Sequence, residues 1–342
     1  MNIKVAIIGA GWYGCHLASS LKDKGFSIKL FEKNSDIFSE ASSNNQNRLH
    51  LGFHYPRSAL TRAQSSRGFK FFKLFYPQFI RSIDINIYSI AQYNSLIDFE
   101  TYKQIMEYSK LKFEDISSCT PVILKNIEGS IYCEEMLINA SKIKNYFAEN
   151  LKNDIELNCK IDCNKLMEIE KNFDFIIDCS WNKVFTEDKF FYEPSIIFKY
   201  EKNNSLDLAL TIMDGKLCSI YPYGENSITL SDVEYTPLGN FETSEDAYKT
   251  INQISQNQID IINKKMEEKI SYYYPSFKNN YINPIPIFSI KTKSKDNLAD
   301  HRYSFIKKVN EKTYSVFSGK IDTIFDIEFQ ILSIISNKLN NE

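Results

Sequence analysis

The chain has 342 residues, of which 43% are hydrophobic and 25% are charged, a balance typical of an ordinary globular protein. This length permits a large core and predicts two domains. The formal net charge of −2 excludes a general binder of nucleic acids or other polyanions, which would carry a basic excess.

The N-terminus does not have the pattern of a secretory signal, because Gly9 stops the apolar run of residues 5–8. No segment approaches the ~18 uncharged apolar residues that a membrane-spanning helix requires. The seven cysteines lack the paired spacing of a metal site, and their odd number favours reduced thiols. We therefore expect a cytoplasmic protein with no integral membrane segment and no bound metal ion.

The opening residues predict a strand–helix–strand unit. Residues 3–9 form an unbroken apolar run, which is typical of a parallel strand buried on both faces. Leu17 and Leu21 follow at helical spacing, and Gly25 has the position of a residue that ends a helix. Residues 27–32 alternate into a second strand with an acid, Glu32, at its end.

The later segments mix both types of element. Helices are predicted over residues 58–80, 99–109, 140–151, 244–270 and from about 321 to 338, and strands over 84–93, 173–180, 195–200, 227–230 and 314–317. Strands that can rejoin the first sheet recur near residue 173 and near the C-terminus. This predicts an α/β fold (α+β overall) in which a Rossmann-like domain is interleaved with a mainly antiparallel β-sheet substrate domain. The predicted ranges are 1–83, 135–192 and 301–342 for the first domain, and 84–134 and 193–300 for the second.

The turn after the first strand, Gly9-x-Gly11-x-x-Gly14, has the spacing of a dinucleotide site. The first glycine allows a tight bend, the second lets a pyrophosphate approach the backbone, and the third lets the helix pack on the strand. The helix N-terminus then faces the phosphates. Glu32 is placed to accept hydrogen bonds from ribose hydroxyls and disfavours a 2′-phosphate. NADP is therefore unfavourable, and FAD and NAD remain as candidates.

Two later segments favour FAD by resemblance. Residues 41–62 resemble the segment after the second strand in the FAD-dependent D-amino-acid-oxidase superfamily. They are similar in particular to 2-hydroxyglutarate oxidases, and the residues that carry the likeness are Asn45, His50, Gly52 and Tyr55.

The second segment is residues 313–323, which resembles the flavin-contacting loop of FAD-dependent glycerol-3-phosphate dehydrogenases through Gly319, Lys320 and Thr323. The loop departs from that family in having Ser318 where a second glycine is usual. Residues 178–181, which include Ser180, stand where the superfamily has a strand followed by a turn over the adenine end. The resemblance covers about half of the chain and implies bound FAD, but it does not extend to a substrate.

Three of the four histidines, His50, His54 and His301, fall in segments that the resemblance places near the flavin. An imidazole can accept a hydroxyl proton while the flavin accepts a hydride, so the likeness favours His50 as catalytic base and His54 as second choice. The alternative is that one of them only holds the flavin or its own loop. His16, in the first helix, is predicted to be a packing or surface residue.

Four cations share the same predicted neighbourhood: Arg48, Arg57, Arg302 and Lys320. An arginine can hold a carboxylate or phosphate through two parallel hydrogen bonds. We count Arg48 with the catalytic candidates and Arg302 with the substrate-binding ones. The alternative for Arg57 and Arg302 is that both are solvated surface residues. Lys320 is a candidate for the flavin pyrimidine edge.

Tyr55 and Tyr223 are candidate walls of the substrate pocket, Tyr223 within a predicted turn at residues 221–224. The leading hypothesis is an FAD-dependent oxidoreductase that oxidises the CH–OH group of a polar small molecule, either a hydroxy acid or a sugar derivative. An amine or amino-acid oxidase of the same superfamily and a non-catalytic dinucleotide-binding protein are the alternatives. The electron acceptor is left open.

Overall fold

A computed structural model describes residues 3–295 and 304–340. The helices in these ranges are α1 Trp12–Asp23, α2 Ala59–Phe75, α3 Phe99–Tyr108, α4 Ala140–Asn150, α5 Cys163–Asn172, α6 Ser244–Gln253, α7 Gln256–Tyr273, α8 Phe277–Asn280 and α9 Ile324–Leu339, with short 3-10 turns at Pro77–Phe79 and Ile321–Thr323. The strands are β1 Lys4–Ile8, β2 Ser27–Phe31, β3 Arg48–Leu49, β4 Ile80–Ser82, β5 Ile85–Ala91, β6 Glu114–Asp115, β7 Ile127–Tyr132, β8 Met136–Ile138, β9 Ile155–Glu156, β10 Phe175–Asp178, β11 Phe190–Lys202, β12 Leu208–Met213, β13 Cys218–Tyr223, β14 Ser227–Asp232, β15 Tyr281–Ser294, β16 Phe305–Lys308 and β17 Thr313–Phe317.

The opening unit forms the centre of a six-stranded sheet with the order β16-β17-β10-β1-β2-β9. β1 pairs in parallel with both β2 and β10, and β10 pairs in parallel with β17. Val5 and Ile7 of β1 are fully buried, as a strand covered on both faces requires. The predicted fold class is confirmed by this sheet and by the antiparallel sheet described below.

The glycines of the opening unit have the predicted local roles. A Cβ on Gly14 would lie 1.8 Å from the carbonyl oxygen of Gly9, so α1 lies against the end of β1 at a distance only glycine permits. Gly25 has φ +87°, the left-handed conformation that ends α1.

An eight-stranded sheet with the order β15-β11-β14-β13-β12-β5-β7-β6 forms the second half of the molecule. It is antiparallel except where β12 pairs in parallel with β5. Its strands alternate: Leu210, Ile220 and Leu230 belong to the core that includes residues of α7, whereas Thr211 and Ser219 face a cavity on the other side. Period-2 alternation thus gives the sheet one apolar and one polar face.

A small third sheet has the order β3-β8-β4. In the sequence, β3 and β4 fall between β2 and β5, and β8 falls between β7 and β9. β3 pairs antiparallel with β8, Arg48 opposite Leu137 and Leu49 opposite Met136. Leu49 is fully buried in the core of the first half, and Arg48 points to the opposite face. The pairing of β3 with β8 therefore fixes the side of the small sheet on which Arg48 lies.

The strands follow the predicted interleaving. Those of the six-stranded sheet come from residues 4–31, 155–178 and 305–317, and those of the eight-stranded sheet from 85–132 and 190–294. β11 runs across the proposed boundary at residues 192 and 193. The division into two domains at the stated residues stays a prediction.

The prediction of a single helix over residues 244–270 is wrong. The chain forms α6 and α7, separated at Ile254 and Ser255. The side chain of Ser255 accepts from the backbone N–H of Gln258, whose side chain in turn accepts from the backbone N–H of Ser255, and this capping box begins a new helix. The helix predicted over 58–80 ends at Phe75, just before Pro77.

β15 is absent from the sequence-based prediction although it spans Tyr281–Ser294. Pro284 and Pro286 lie within it, and proline removes the backbone donor that an inner strand needs. The strand is tolerated because it lies at the edge of the sheet, paired on one side with β11.

Gly68 of α2 is a second point of close contact. A Cβ there would lie 1.9 Å from the carbonyl oxygen of Asp322, so α2 packs directly on the turn that precedes α9.

In an open helix the change Gly68→Ala would stabilise the protein by about 1 kcal/mol. Here we expect it to lower the free energy of unfolding by about 1–3 kcal/mol, because the turn must move away. Urea denaturation measures this change, with Lys70→Ala on the exposed face of α2 as the control. A Gly68→Ala variant as stable as the parent would contradict the expectation.

Candidate functional site

A cavity of about 480 Å³ lies between the dinucleotide turn and the polar face of the eight-stranded sheet. It joins the segments singled out in the sequence. Its walls come from the start of α1, β3, the loops after β2, β3 and β10, the loop before α9 and strands β11 to β15. The lining residues include Trp12, Tyr13, Asn45, Arg48, His50, His54, Tyr55, Trp181, Thr211, Ser219, Gly319 and Lys320.

The turn beside the cavity leaves no room for side chains. Gly9 has φ +95°, and a Cβ there would lie 3.0 Å from the carbonyl oxygen of Cys179. A Cβ on Gly11 would lie 2.7 Å from Oγ of Ser42. With Gly14 against the Gly9 carbonyl, the three glycines form a cradle of bare backbone at the start of α1, which fits a pyrophosphate.

Glu32 and Ser180 lie beside this turn rather than on the cavity wall. The Glu32 carboxylate accepts from the backbone N–H groups of Ala10, at 2.8 Å, and Asn34, at 2.9 Å. The hydroxyl of Ser180 accepts from the backbone N–H groups of Lys183 and Val184 at 3.2 and 3.0 Å. Both residues therefore hold the two strand ends over which the predicted adenosine half would lie.

Tyr13 connects the dinucleotide turn to the C-terminal loop. Its buried hydroxyl donates to the carbonyl oxygen of Lys320 at 2.5 Å and is 2.8 Å from Oγ1 of Thr323. The backbone N–H of Gly319 donates to Ser304 at 2.8 Å. The first and last helices thereby share one loop at the cavity.

The ammonium of Lys320 contacts α2 as well as the cavity. It lies 3.3 Å from the Asp322 carboxylate, donates to Ser65 and lies 4.7 Å above the ring of Tyr55. Its charge is therefore compensated inside the protein by Asp322.

The loop after β2 is held by its own side chains. The Asn45 amide donates to the carbonyl oxygens of Ala41, at 2.8 Å, and Ser42, at 3.0 Å. It accepts from the backbone N–H of Asn47 at 2.6 Å. Ser42 also accepts from the backbone N–H of Trp12 at 3.0 Å, so this loop covers the N-terminus of α1.

The two predicted catalytic histidines come together. The ring centroids of His50 and His54 are 5.7 Å apart, and Tyr55 lies 5.8 Å from the first and 5.2 Å from the second. All three residues line the cavity, in contact with the C-terminal loop through Tyr55 and Lys320.

Arg48 is a buried cation at the same place, with 6% of its surface exposed. One guanidinium nitrogen donates to Oγ1 of Thr211 at 2.8 Å, and the group lies 4.3 Å above the ring of Tyr221. Its Nε and Nη2 have no hydrogen-bond partner among residues 3–295 and 304–340. Buried donors of this kind are rare and are usually completed by water or a ligand.

Glu135 was not predicted from the sequence. It is 2% exposed, and Oε2 lies 3.9 Å from Nδ1 of His50. A single acid before a short strand carries no signal by itself. Only the pairing of β3 with β8 brings it beside the histidine.

Of the four remaining candidates, the described residues include Tyr223 and Arg57. Tyr223 belongs to β13 instead of a turn, and its hydroxyl donates to the Ser43 carbonyl at 3.2 Å, away from the cavity wall. Arg57 lines the cavity and pairs with Asp214 at 2.7 Å. His301 and Arg302 lie outside the described residues.

His16 is the predicted packing residue. It is 3% exposed and lies within hydrogen-bonding distance of Tyr76, at 2.7 Å, and Glu328, at 3.1 Å. Within the described ranges, no helix is long and apolar enough to cross a membrane, and no group of three or more potential ligands could hold a metal ion.

A charged cluster joins α6 to the loop after β2. The Glu40 carboxylate lies 2.9 Å from the Lys33 ammonium and 3.5 Å from that of Lys183, and it accepts from the Tyr248 hydroxyl at 2.5 Å. Burial opposes ionisation of Glu40, but Lys183, Tyr248 and Lys33 outweigh it and lower its pKa to about 2.

We expect Glu40→Gln to reduce the free energy of unfolding at pH 7 by about 1–2 kcal/mol, a value discounted for partial exposure. Because the pKa is depressed in the folded state, this stabilisation is complete above about pH 4.5 and is lost as the pH falls towards 2. Urea denaturation at pH 7 and at several values between pH 4.5 and pH 2.5 tests it, with Glu107→Gln on α3 as an exposed control. A difference between parent and variant that does not shrink on acidification would contradict the assignment.

Comparison with known proteins agrees with this geometry. Residues 4–143 match the family model described as FAD dependent oxidoreductase. The FAD-dependent monooxygenase FPY4 of Fusarium mangiferae is 37% identical over 98% of this chain and 91% of its own length.

Solved structures show the same fold. Glycine oxidase from Geobacillus kaustophilus superposes with a TM-score of 0.73 at 10% identity, over 98% of this chain and 95% of its own. L-α-glycerophosphate oxidase from Mycoplasma pneumoniae, solved with FAD bound, gives a TM-score of 0.71 at 16% identity, over 97% and 94%.

These comparisons decide between the two dinucleotides in favour of FAD and confirm the predicted resemblance. The bare glycine cradle at the start of α1 fits that cofactor. The chain therefore belongs to the FAD-dependent oxidoreductase family, and it is an FAD-dependent enzyme.

Proposed function

We propose that the enzyme oxidises a CH–OH group of a polar small molecule, a hydroxy acid or a sugar derivative, with His50 as the base that removes the hydroxyl proton. The observation that carries the proposal is the cluster of His50, His54 and Tyr55 on the cavity wall. An imidazole has its ordinary pKa near ~6.5 and can therefore gain and lose a proton at neutral pH.

The polarity of the cavity supports a polar substrate. The sheet contributes the hydroxyls of Thr211, Ser219, Ser231 and Ser289 to its wall. Such groups can hydrogen-bond to hydroxyl and carboxylate oxygens, and a buried polar group left without a partner is costly. Among the described residues, Nε and Nη2 of Arg48 on the same wall have no hydrogen-bond partner, and a purely apolar substrate would leave them without one.

FAD is proposed to bind through its pyrophosphate to the backbone of Gly9, Gly11 and Gly14 and through its ribose to Glu32. Asn45, Ser180, Gly319 and Lys320 are the further residues proposed to hold it. When bound, FAD supplies the acceptor for the hydride that the substrate carbon loses. The protein's own residues hold the alcohol and take its proton.

Tryptophan fluorescence gives a direct test of this placement. The chain has two tryptophans, Trp12 and Trp181, and both line the cavity. We expect FAD added to the apoprotein to quench most of the tryptophan emission, because a flavin in the cavity lies beside both indoles. Trp12→Phe and Trp181→Phe should each lose part of the quenching, and unquenched emission from a protein that has bound FAD would contradict the placement.

The base is tested with His50→Asn. We expect this variant to retain FAD. The rate at which substrate reduces the flavin should fall at least about 100-fold, since a positioned base raises the rate of such a step by about 10²–10⁴-fold. Anaerobic stopped-flow absorbance measures the step, after a screen of hydroxy acids, sugar derivatives and amino acids has identified a reducing substrate. His54→Asn is the matched variant: an unchanged rate in His50→Asn with a slow His54→Asn would transfer the role to His54.

A monooxygenase is the second candidate function, favoured by the 37% identity to FPY4. A monooxygenase would need a separate reductant and would place one atom of O₂ in its product. Incubation with ¹⁸O₂ therefore separates the two. Reduction of FAD by substrate alone, with an unlabelled product, supports alcohol oxidation, whereas ¹⁸O in the product overturns it.

A further inference from the structure

The register of the small sheet brings an acid to the candidate base. Arg48 is opposite Leu137 and Leu49 is opposite Met136, so the next position along β3 puts His50 opposite Glu135. Side chains of directly opposed residues lie on the same face of an antiparallel pair. The distance of 3.9 Å between Nδ1 of His50 and Oε2 of Glu135 follows from this register.

The rest of the site holds Glu135 in place. Oε1 accepts from the backbone N–H of Leu51 at 2.7 Å, and Oε2 accepts from the hydroxyl of Tyr88 at 2.7 Å. Burial raises the pKa of Glu135, while these two donors and the nearby Arg48 act in the opposite direction. Each oxygen therefore receives a donor, which offsets part of the effect of burial, although the pKa of Glu135 stays above its ordinary value.

Position 135 is occupied by a buried acid and not by an apolar side chain. A buried carboxylate lowers the stability of the folded protein by several kcal/mol unless its charge is compensated. Arg48, whose side chain leaves β3 on the same face as His50, provides the compensating charge. A stabilising role alone does not require the acid to lie beside a histidine on the cavity wall.

We propose that Glu135 is the positioning residue for His50. At 3.9 Å its carboxylate acts on Nδ1 through its charge and not through a hydrogen bond. That charge favours the proton on Nδ1, so that Nε2 keeps a lone pair for the substrate hydroxyl, and it stabilises the imidazolium that forms. In the proton-transfer step the O–H bond of the substrate breaks and an Nε2–H bond forms, while the carbon-bound hydrogen leaves with its electron pair to the FAD named above. The proposal rests on the proposed function of His50.

Other titratable groups also face this pair, and the experiment must separate their effects. His54 and Tyr55 lie beside His50, and the groups that interact electrostatically with Glu135 are Arg48, Tyr88, Tyr102, Cys133 and Tyr221.

The first measurement uses the unmodified holoenzyme. In protein carrying ¹³C/¹⁵N-labelled histidine, with the His50 signal assigned by comparison with His50→Asn, the ¹⁵N shifts report which nitrogen carries the proton. We expect neutral His50 to be protonated on Nδ1. Protonation on Nε2 would overturn the proposal, whatever the behaviour of any variant.

The second measurement uses Glu135→Gln, which keeps the size of the side chain and an acceptor for Leu51. We expect the pKa of His50 to fall by about 1, the usual effect of losing an opposite charge at this distance. The pH profile of flavin reduction should move to lower pH by the same amount. Glu193→Gln removes another buried carboxylate of the cavity, one that pairs with Lys293 at 2.6 Å, and should change the pKa of His50 less.

An unchanged pKa of His50 in Glu135→Gln would refute the pairing. If the variant does not fold, the tautomer of the unmodified protein decides the question. The proposed function fails separately: a normal rate in His50→Asn removes the base, even where the tautomer and pKa results support the pair.

Discussion

The contact between Gly14 and the carbonyl of Gly9 is the constraint on which the site depends. It lets α1 begin directly at the end of β1, with bare backbone where a pyrophosphate must approach. It also directs Trp12 and Tyr13 into the cavity, and the Tyr13 hydroxyl then fixes the loop at Lys320. A side chain at position 14 would displace the helix, the cavity wall and the C-terminal loop together.

Short-range patterns predicted the parts of the fold that they determine. The apolar run before Gly9, the glycine spacing and the acid at Glu32 each act over a few residues, and the structure contains the unit they describe. The same holds for α4 and β10. The break between α6 and α7 was missed because the reciprocal cap at Ser255 and Gln258 is hidden inside a continuous apolar period.

The site was predictable only where one segment carried it. His50, His54 and Tyr55 lie within six positions of one another, and a family likeness named them. Glu135 could not be found in this way, because its neighbour in space, His50, is 85 positions away in the sequence. The two residues come together only because the two-residue strand β3 pairs with β8. The turn predicted at residues 221–224 was wrong for a related reason: a Tyr-Pro-Tyr-Gly run resembles a turn, although its first three residues complete a strand.

The repeated passage of the chain between its sheets limits how the enzyme can admit a substrate. Connections cross between β4 and β5, between β7 and β8, between β10 and β11 and between β15 and β16. Two halves tied at several points are more restrained in their relative motion than domains joined by a single linker. The loops that line the cavity are therefore the segments at which changes are expected to affect the entry and release of substrate.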